Sequence, residues 1–456
     1  MIHRFKNNGY NIVLDVNSGA VHLVDEMCYR MLGLLDQDSE TMEEACPPEI
    51  LSALSGEYTK TEILELYDEL LYLHRAGHLF SSDDYGQFAD KMGLSPLKAM
   101  CLHVTHDCNL RCKYCFAGQG VYGGEKKLMS REVALSAIDF LVEKSQGRRN
   151  LEIDFFGGEP LMNFDVIKKT VEYGRSLEKK HNKVFRFTTT TNGVLLGDEA
   201  ADFLNREMNN VVLSLDGRRE VNDAMRPNAG GRGSYDAIVP KYQHFVRIRG
   251  DKDYYVRGTF TKNNLDFAND VLHMNELGFD QISVEPVVSD PKLDFSIRQE
   301  DLPAVFDEYD RLARIMLERK KAGKGFNFFH FMIDLEQGPC AIKRLRGCGC
   351  GNEYAAVDPG GDVYPCHQFV GQPEWKMGSV LTGEYDLEMK GRFARSTVYD
   401  KPECRKCWAK FYCSGGCNAN NQQYMGDILR SHKLSCELEK KRLECAIMIQ
   451  AALSEG

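Results

Sequence analysis

The sequence predicts an α/β protein built around a partial (β/α)6 TIM-like barrel, with a small N-terminal winged-helix-like module and a Cys-rich C-terminal domain. Three observations predict this fold class. Strand and helix patterns alternate over residues 97–290, a hairpin with short helices occupies residues 1–85, and cysteines cluster from residue 340 onward. A length of 456 residues also favours about three modules over one.

Six short apolar runs in the central segment have the length and composition of strands, and helical stretches separate them. The runs are Cys101–Val104, Leu151–Phe156, Phe185–Thr189, Val211–Leu215, Tyr254–Phe260 and Gln281–Val284. The helices are predicted at Arg131–Lys144 after a Ser130 cap, Asp165–Lys179, Tyr235–Arg249 and Leu265–Leu277. Such β/α repeats favour a parallel sheet that curls into an incomplete barrel, whose sites lie at the C-terminal strand ends.

The N-terminal segment combines a hairpin pattern with short helices. Asn11–Val16 and Val21–Val24 flank a Gly-containing loop, and a helix is predicted at Glu26–Leu35. Thr59 and Glu62 fit a capping box for a later helix. Residues 1–90 hold five Lys and Arg against seventeen Asp and Glu, a balance of −12. This acidity argues against nucleic acid as a partner, and so against a DNA-binding winged helix.

The C-terminal third divides into a helical bridge and a Cys-rich domain. The bridge spans residues 291–339 and contains a helix near Leu302–Lys321. Residues 340–456 have few long periodic segments, and we expect them to fold around metal.

Cysteine usage indicates metal binding rather than disulfides. No run of eighteen apolar residues predicts a membrane helix, and residues 1–10 lack the apolar core of a signal peptide, so we expect a cytoplasmic protein. Disulfides are disfavoured in that compartment. Eleven of the sixteen cysteines fall within 108–115 and 340–417. The isolated ones, interpreted as buried thiols, are Cys28, Cys46, Cys101 and Cys445.

A three-cysteine loop follows the first predicted barrel strand. Cys108, Cys112 and Cys115 are separated by three and two residues. Three thiolates can bind three irons of a [4Fe–4S] cubane and leave the fourth iron open, as a catalytic site requires. The alternatives are a zinc site that borrows a distant ligand, and chance.

This CxxxCxxC loop resembles the signature of the radical S-adenosylmethionine (SAM) superfamily, and the resemblance covers residues 100–290. Further residues that resemble the family's SAM contacts fall in order at successive strand ends, although each alone could be a simple turn. The resemblance implies SAM contacts by Tyr114, Gly157, Gly158, Glu159, Thr191, Asn192, Ser214, Asp216 and Arg257. It implies radical chemistry that no side chain supplies.

The C-terminal cysteines resemble the SPASM pattern of radical enzymes with auxiliary clusters, which implies two further [4Fe–4S] clusters, three in all. The resemblance implies Cys404, Cys407, Cys413 and Cys436 as ligands of an outer cluster, and Cys348, Cys366 and Cys417 as ligands of an inner one. Cys340 and Cys350 compete with Cys348, so the inner cluster has either a further ligand or an open iron. The alternative is a zinc ribbon, for which the expected histidines are missing.

Nearly the whole chain resembles the SCIFF maturases, with residues 10–21 and 364–371 carrying the likeness. The resemblance implies an enzyme that forms Cys thioether crosslinks in a short ribosomally made Cys-rich precursor. The N-terminal module would bind the leader as an added strand. A ferredoxin or flavodoxin would supply electrons. The alternatives are an anaerobic sulfatase-maturase-like formylglycine-generating enzyme and a zinc-stabilised, non-catalytic peptide-binding scaffold. The sequence assigns no general base.

Overall fold

A ten-stranded sheet forms the centre of the molecule in the computed structural model, which describes residues 1–335 and 341–454. Six parallel strands follow one another in chain order across this sheet. A separate three-stranded antiparallel sheet lies at the N-terminus. The α/β class predicted from the alternating pattern is confirmed.

The N-terminal segment contains one strand more than predicted. Its elements are β1 (Ile2–Asn7), β2 (Tyr10–Asp15), β3 (Val21–Leu23), α1 (Glu26–Leu34), α2 (Pro48–Leu54), α3 (Lys60–Arg75) and α4 (Gly86–Lys91). The sequence analysis missed β1, although Asn8 and Gly9 between β1 and β2 both have positive φ and are a strong hairpin signal. The capping box of Thr59 and Glu62 at the start of α3 is confirmed.

The central segment has the predicted alternation. Its strands are β4 (Ala99–Thr105), β5 (Asn150–Gly157), β6 (Val184–Thr191), β7 (Asn210–Ser214), β8 (Tyr254–Phe260) and β9 (Gln281–Pro286). The helices between them are α5 (Arg131–Lys144), α6 (Phe164–His181), α7 (Asp198–Glu207), α8 (Arg219–Met225), α9 (Tyr235–Arg249) and α10 (Phe267–Glu276). All six strands therefore end on the same edge of the sheet.

Buried and more exposed side chains alternate along β5 to β8, whereas six consecutive residues of β4 are buried. On β5, Leu151, Ile153 and Phe155 are fully buried, whereas Asp154 and Phe156 are only partly covered. The buried side chains belong to the main hydrophobic core, which also contains residues of the surrounding helices. The second face of β5 is therefore less covered than the first.

The sheet extends beyond the six predicted strands. The bridge supplies β10 (Asn327–Phe328) beside β9, and the Cys-rich segment supplies β11 (Tyr354–Val357), β12 (Asp362–Tyr364) and β13 (Gly378–Ser379). Strand β11 pairs in parallel with β4, which joins the Cys-rich segment directly to the first of the six parallel strands. Strands of two to four residues are too short to show a hydrophobic period, so sequence analysis could not find them.

The C-terminal helices are α11 (Leu302–Lys321), α12 (Ala341–Arg346), α13 (Leu387–Ala394), α14 (Pro402–Arg405), α15 (Lys410–Cys413), α16 (Asn418–Met425) and α17 (Lys433–Ser454). Among the described residues after 340, α17 is long, with 22 residues, and the other helices have eight residues or fewer. Helix α17 packs on α11 and on the N-terminal sheet, and Cys445 to Ile449 are all buried. Burial on every side removes the amphipathic period that predicts a helix.

Within residues 1–335 and 341–454, no helix combines the length and the apolar character needed to cross a membrane.

Candidate active site and cysteine clusters

A cavity of about 150 Å³ lies at the C-terminal edge of the six parallel strands. It brings together the three-cysteine loop after β4 and the ends of β5, β6 and β7. The predicted residues that line it are Cys108, Cys112, Cys115, Tyr114, Gly157, Gly158, Glu159, Thr191, Asn192 and Ser214. Asp216 and Arg257 are not among its lining residues.

The thiols of the loop are close to one another and partly covered. The backbone N–H of Leu110 donates to the Cys108 sulfur at 3.4 Å, and the Asn192 side-chain amide donates to it at 3.6 Å. Burial raises the pKa of Cys108 to about 12 and also raises that of Cys112, whereas Arg226 lowers the pKa of Cys112. Metal binding would therefore displace protons from these thiols.

Glycines keep the space beside the loop free of side chains. A Cβ at Gly158 would lie 2.0 Å from the Asp107 carbonyl oxygen and 3.2 Å from the Cys108 Cβ. A Cβ at Gly120 would lie 3.1 Å from the same Cys108 atom. The cavity therefore requires glycine at both positions, and its three thiols and bare backbone fit a cluster with a ligand on its open iron.

Glu159 ties the end of β5 to the end of β6. Its buried carboxylate accepts hydrogen bonds from the Thr191 hydroxyl and the Asn192 N–H, both at 2.7 Å, and from the Leu161 N–H at 3.1 Å. Burial raises the pKa of Glu159, and these hydrogen bonds lower it. The contacts fix the loop that carries Asn192, whose side-chain amide donates to Cys108 and Asn109 of the three-cysteine loop.

Arg226 is a cavity residue that the sequence analysis missed. Its guanidinium donates to the Tyr114 hydroxyl at 2.6 Å and lies 3.5 Å from the fully buried Asp216 carboxylate. Tyr114 in turn donates to Asp216 at 2.7 Å, so Asp216 supports the cavity from behind. The Arg226 Nε is buried without a hydrogen-bond partner among the described residues. A single arginine at the end of α8 carries no spacing signal, so only the fold shows its place.

Arg257, predicted to bind the methionine carboxylate, is paired with Glu285 at 2.8 Å. Its backbone lies next to Ser214 in the β7–β8 register. The cation that lines the cavity is Arg226 instead. Two arginines therefore lie at this edge of the sheet, where a carboxylate of SAM would bind. Arg257 is the one that already forms an ion pair with Glu285.

The predicted ligands of the outer cluster surround one cavity of about 580 Å³. Cys404, Cys407, Cys413 and Cys436 all line it, and they come from three different helices and the loop between α14 and α15. Cys404 also lies 3.3 Å from the Ser431 hydroxyl. The fold thus brings together thiols that are spread over 33 positions of the sequence.

The inner group contains four thiols in the described residues. Cys348, Cys350, Cys366 and Cys417 are mutual electrostatic neighbours, and Cys350 hydrogen-bonds to Cys366, which lowers the pKa of Cys366. The Gly351 N–H donates to the Pro365 carbonyl at 3.0 Å and so holds the two chain segments together. The extra cysteine that the sequence left unassigned, Cys350, therefore lies with the other three. Cys340 is outside the described residues.

The remaining cysteines are placed largely as expected. Cys28, Cys101 and Cys445 are buried, and Cys46 is only half-buried.

Within the described ranges, no three His, Cys, Asp or Glu side chains are arranged to hold one single metal ion. A cubane binds each thiolate through a different iron, so its ligands stand farther apart than those of one zinc ion.

Comparisons with known proteins agree with this geometry. Residues 102–242 match the Radical SAM superfamily. The cysteine-type anaerobic sulfatase-maturating enzyme of Clostridium perfringens (strain 13 / Type A) is 23% identical, over 71% of this chain and 89% of its own.

Two solved structures share the fold. The structure of native anSMEcpe with bound AdoMet and Kp18Cys peptide has a TM-score of 0.64 at 21% identity, covering 78% of this chain and 99% of that one. Streptococcus suis SuiB bound to precursor peptide SuiA has a TM-score of 0.52 at 17% identity, covering 92% of this chain and 95% of that one.

The three-cysteine loop lies within the part of the chain that matches the Radical SAM superfamily, and the fold is shared with a solved structure that has bound AdoMet. The proteins similar to this chain include an anaerobic sulfatase-maturating enzyme and SuiB, whose structure is described as bound to the precursor peptide SuiA.

Proposed function

We propose that this protein is a peptide maturase that forms Cys thioether crosslinks in a short, ribosomally made, Cys-rich precursor carrying a leader. The observation that carries the proposal is a groove in the N-terminal module, beside the edge of its small sheet. Strand β3 pairs with β2 alone among the described strands, so its other edge is available to an added peptide strand.

The groove has a volume of about 250 Å³ and lies between β3 and α3. Apolar side chains dominate its lining, with His22, Asp25 and Glu69 as the polar exceptions. Alternate side chains of an added strand would enter such a groove, while its backbone pairs with β3. The −12 balance of residues 1–90 favours a leader with basic residues.

The breadth of the structural similarity supports this assignment. SuiB, whose structure is described as bound to the precursor peptide SuiA, matches 92% of this chain, whereas anSMEcpe matches 78%. The fold shared with SuiB thus covers a larger part of this chain.

Three sets of residues would hold the cofactors. Cys108, Cys112 and Cys115 would bind the SAM cluster, the four outer thiols a second cluster, and the four inner thiols a third. When bound, the first cluster with SAM supplies a radical that removes hydrogen from an unactivated carbon. Arg226 and Tyr114, held from behind by Asp216, would orient SAM, and the glycines at the end of β5 would admit it.

A second candidate is a formylglycine-generating activity, which the similarity to anaerobic sulfatase-maturating enzymes favours. The two reactions differ in the fate of the cysteine sulfur. A thioether keeps the sulfur and loses two hydrogens, whereas conversion of Cys to formylglycine loses the sulfur. Mass spectrometry of the treated peptide distinguishes them.

The groove is tested by Leu66→Glu, which places a carboxylate among apolar groove residues of α3. We expect the Kd of a fluorescein-labelled, Cys-rich precursor with its leader to rise at least about tenfold, or about 1.4 kcal/mol. Fluorescence anisotropy measures this.

Leu64→Glu is the matched control, because Leu64 lies on the same helix, is 36% exposed and does not line the groove. Equal affinities of the Leu66→Glu variant and the wild type would contradict leader binding at this groove. Point variants are preferred to removal of residues 1–85, because Phe5, Ile12 and Leu14 are part of the main core.

A further inference from the structure

Lys401 is a buried lysine in the middle of the Cys-rich segment, and its side chain is only 1% exposed. It directly precedes α14, and its side chain reaches the loop between α15 and α16. That loop runs from Cys413 of the outer thiols to Cys417 of the inner thiols. None of the roles described above uses this lysine.

Two hydrogen bonds fix the side chain where the outer and inner thiols meet. The Lys401 Nζ donates to the Gly415 carbonyl at 2.7 Å and to the Asn418 side-chain oxygen at 2.9 Å. Gly415 lies two residues after Cys413, and Asn418 directly follows Cys417. Both of these cysteines line one cavity of about 230 Å³. The Lys401 side chain is therefore bound to the segment that joins the two groups.

The backbone around Lys401 is also built into the outer group. The Lys401 carbonyl accepts a hydrogen bond from the Cys404 N–H at 3.0 Å. Gly415, which lines the outer cavity, leaves room for the lysine, because a Cβ there would lie 3.0 Å from its Nζ and 3.2 Å from its Cδ. Backbone and side chain of Lys401 thus connect two parts of the outer group.

No carboxylate balances this buried cation. Both acceptors of Lys401 are uncharged oxygens, and in residues 1–335 and 341–454 it forms no ion pair. Lys410 of the same segment shows the usual arrangement, since it is 4% exposed and pairs with the Asp83 carboxylate at 2.7 Å. A buried ammonium without a counter-charge is strongly unfavourable. The charge of Lys401 therefore depends on anions other than carboxylates.

Thiols of both groups are the candidates for this counter-charge. Burial lowers the pKa of Lys401, and Cys404, Cys413, Cys348 and Cys417 oppose that shift. Thiols that bind metal lose their protons, so both ligand sets become anionic when they are loaded. The loaded groups would then supply the negative charge that the fold does not.

We propose that Lys401 is the buried cation that balances the negative charge of the outer and inner ligand sets and raises the reduction potentials of the clusters bound there. The proposal rests on the cluster assignment in the proposed function. Reduction brings one electron from the reductant, and so one more negative charge, into the site. A fixed cation in a buried site stabilises that charge, because little water screens it.

The test compares Lys401→Gln with Lys401→Arg in the reconstituted full-length protein. Glutamine keeps a side-chain N–H donor and removes the charge, whereas arginine keeps both. Lys406→Met is the matched control, because Lys406 also lines the outer cavity but is exposed, so that water screens its charge. The readout is a redox titration followed by electron paramagnetic resonance, with iron and sulfide counted on the same samples. The signal that added SAM changes is the internal reference.

Lys401→Gln should keep about twelve irons per chain. At a fixed potential, it should lower the ratio of reduced to oxidised cluster in the other signals at least about tenfold, which is about 59 mV for one electron. Lys401→Arg and Lys406→Met should match the wild type. Loss of iron in Lys401→Gln but not in Lys401→Arg would also support the proposal, because both variants keep a donor and only one keeps the charge.

An unchanged ratio in a fully loaded Lys401→Gln protein would overturn the proposal. The same shift or the same loss of iron in Lys401→Arg would overturn it too, since the lysine would then only fill space, and so would an equal shift in Lys406→Met. A wild type that binds only about four irons would overturn the proposed cluster assignment, and this inference with it.

Discussion

At the scale of single residues, Cys350 decides whether the inner cluster has four thiolate ligands or three thiolate ligands and an open iron. Because the fold places it beside Cys366, with Cys348 and Cys417 nearby, we expect it to bind the inner cluster as a fourth thiolate. Cys350→Ala should then lower the iron content of the reconstituted protein by up to about four per chain. Iron and sulfide analysis measures this.

Cys46→Ala is the control, because Cys46 is half-buried in the N-terminal module and is remote in sequence from every predicted ligand. An unchanged iron content and an unchanged electron paramagnetic resonance spectrum of Cys350→Ala would contradict ligation by Cys350. The inner cluster would then have an iron open to a substrate thiol.

Residues that share a site because they are close in the sequence could be predicted. Residues that only the fold brings together could not. Cys108, Cys112 and Cys115 share one loop, so their spacing alone indicates a shared site. Arg226 acquires its surroundings from strands far away in sequence, and it has no motif. Its position follows only from the order of the strands.

At the scale of elements, the substitution Ile447→Ala tests the packing of helix α17. Ile447 is fully buried where α17 packs between α11 and the N-terminal sheet. Truncation of a buried isoleucine leaves a cavity and should lower the free energy of unfolding by about 2–5 kcal/mol. Urea unfolding followed by circular dichroism measures this.

Gln450→Ala on the same helix should change stability by less than about 0.5 kcal/mol, since Gln450 is only half-buried. Equal stabilities of the two variants would show that α17 does not pack as described.

The bounds of α5, α9 and α11 were predicted to the residue. The hydrophobic period fails where an element is buried on all sides or is very short. Helix α17 illustrates the first case, and β11 to β13 illustrate the second. The link between the Cys-rich segment and β4 depends on these short strands, so the sequence could not show it.

The contact between the N-terminal module and the Cys-rich segment is tested at the scale of the whole molecule. Asp83 accepts hydrogen bonds from the buried Lys410 ammonium at 2.7 Å and from the Tyr399 hydroxyl at 2.5 Å. Removal of Asp83 leaves the Lys410 charge buried without its carboxylate, so Asp83→Ala should cost about 3 kcal/mol. Thermal unfolding in calorimetry measures this, and Asp84→Ala next to it is the control.

The ion pair of Asp83 and Lys410 also predicts that the stability of the fold depends on pH. Burial raises the pKa of Asp83, but the hydrogen bonds from Lys410 and Tyr399 outweigh it, so the pKa lies below the ordinary 3.8. A lowered carboxyl pKa stabilises the fold above the unfolded value and loses that effect as the pH falls through the folded value. The wild type should therefore lose more stability than Asp83→Ala below about pH 4. Parallel loss in both proteins would contradict this contact.

The most direct test of the central claim is mass spectrometry of a Cys-rich precursor with its leader, treated anaerobically with the reconstituted enzyme, SAM and reductant, and then alkylated at free thiols. The proposed function predicts a peptide lighter by two hydrogens per crosslink, with sulfur retained, one thiol fewer to alkylate, and one 5′-deoxyadenosine formed per crosslink. A peptide of unchanged mass despite 5′-deoxyadenosine formation, or one that has lost sulfur, would contradict it.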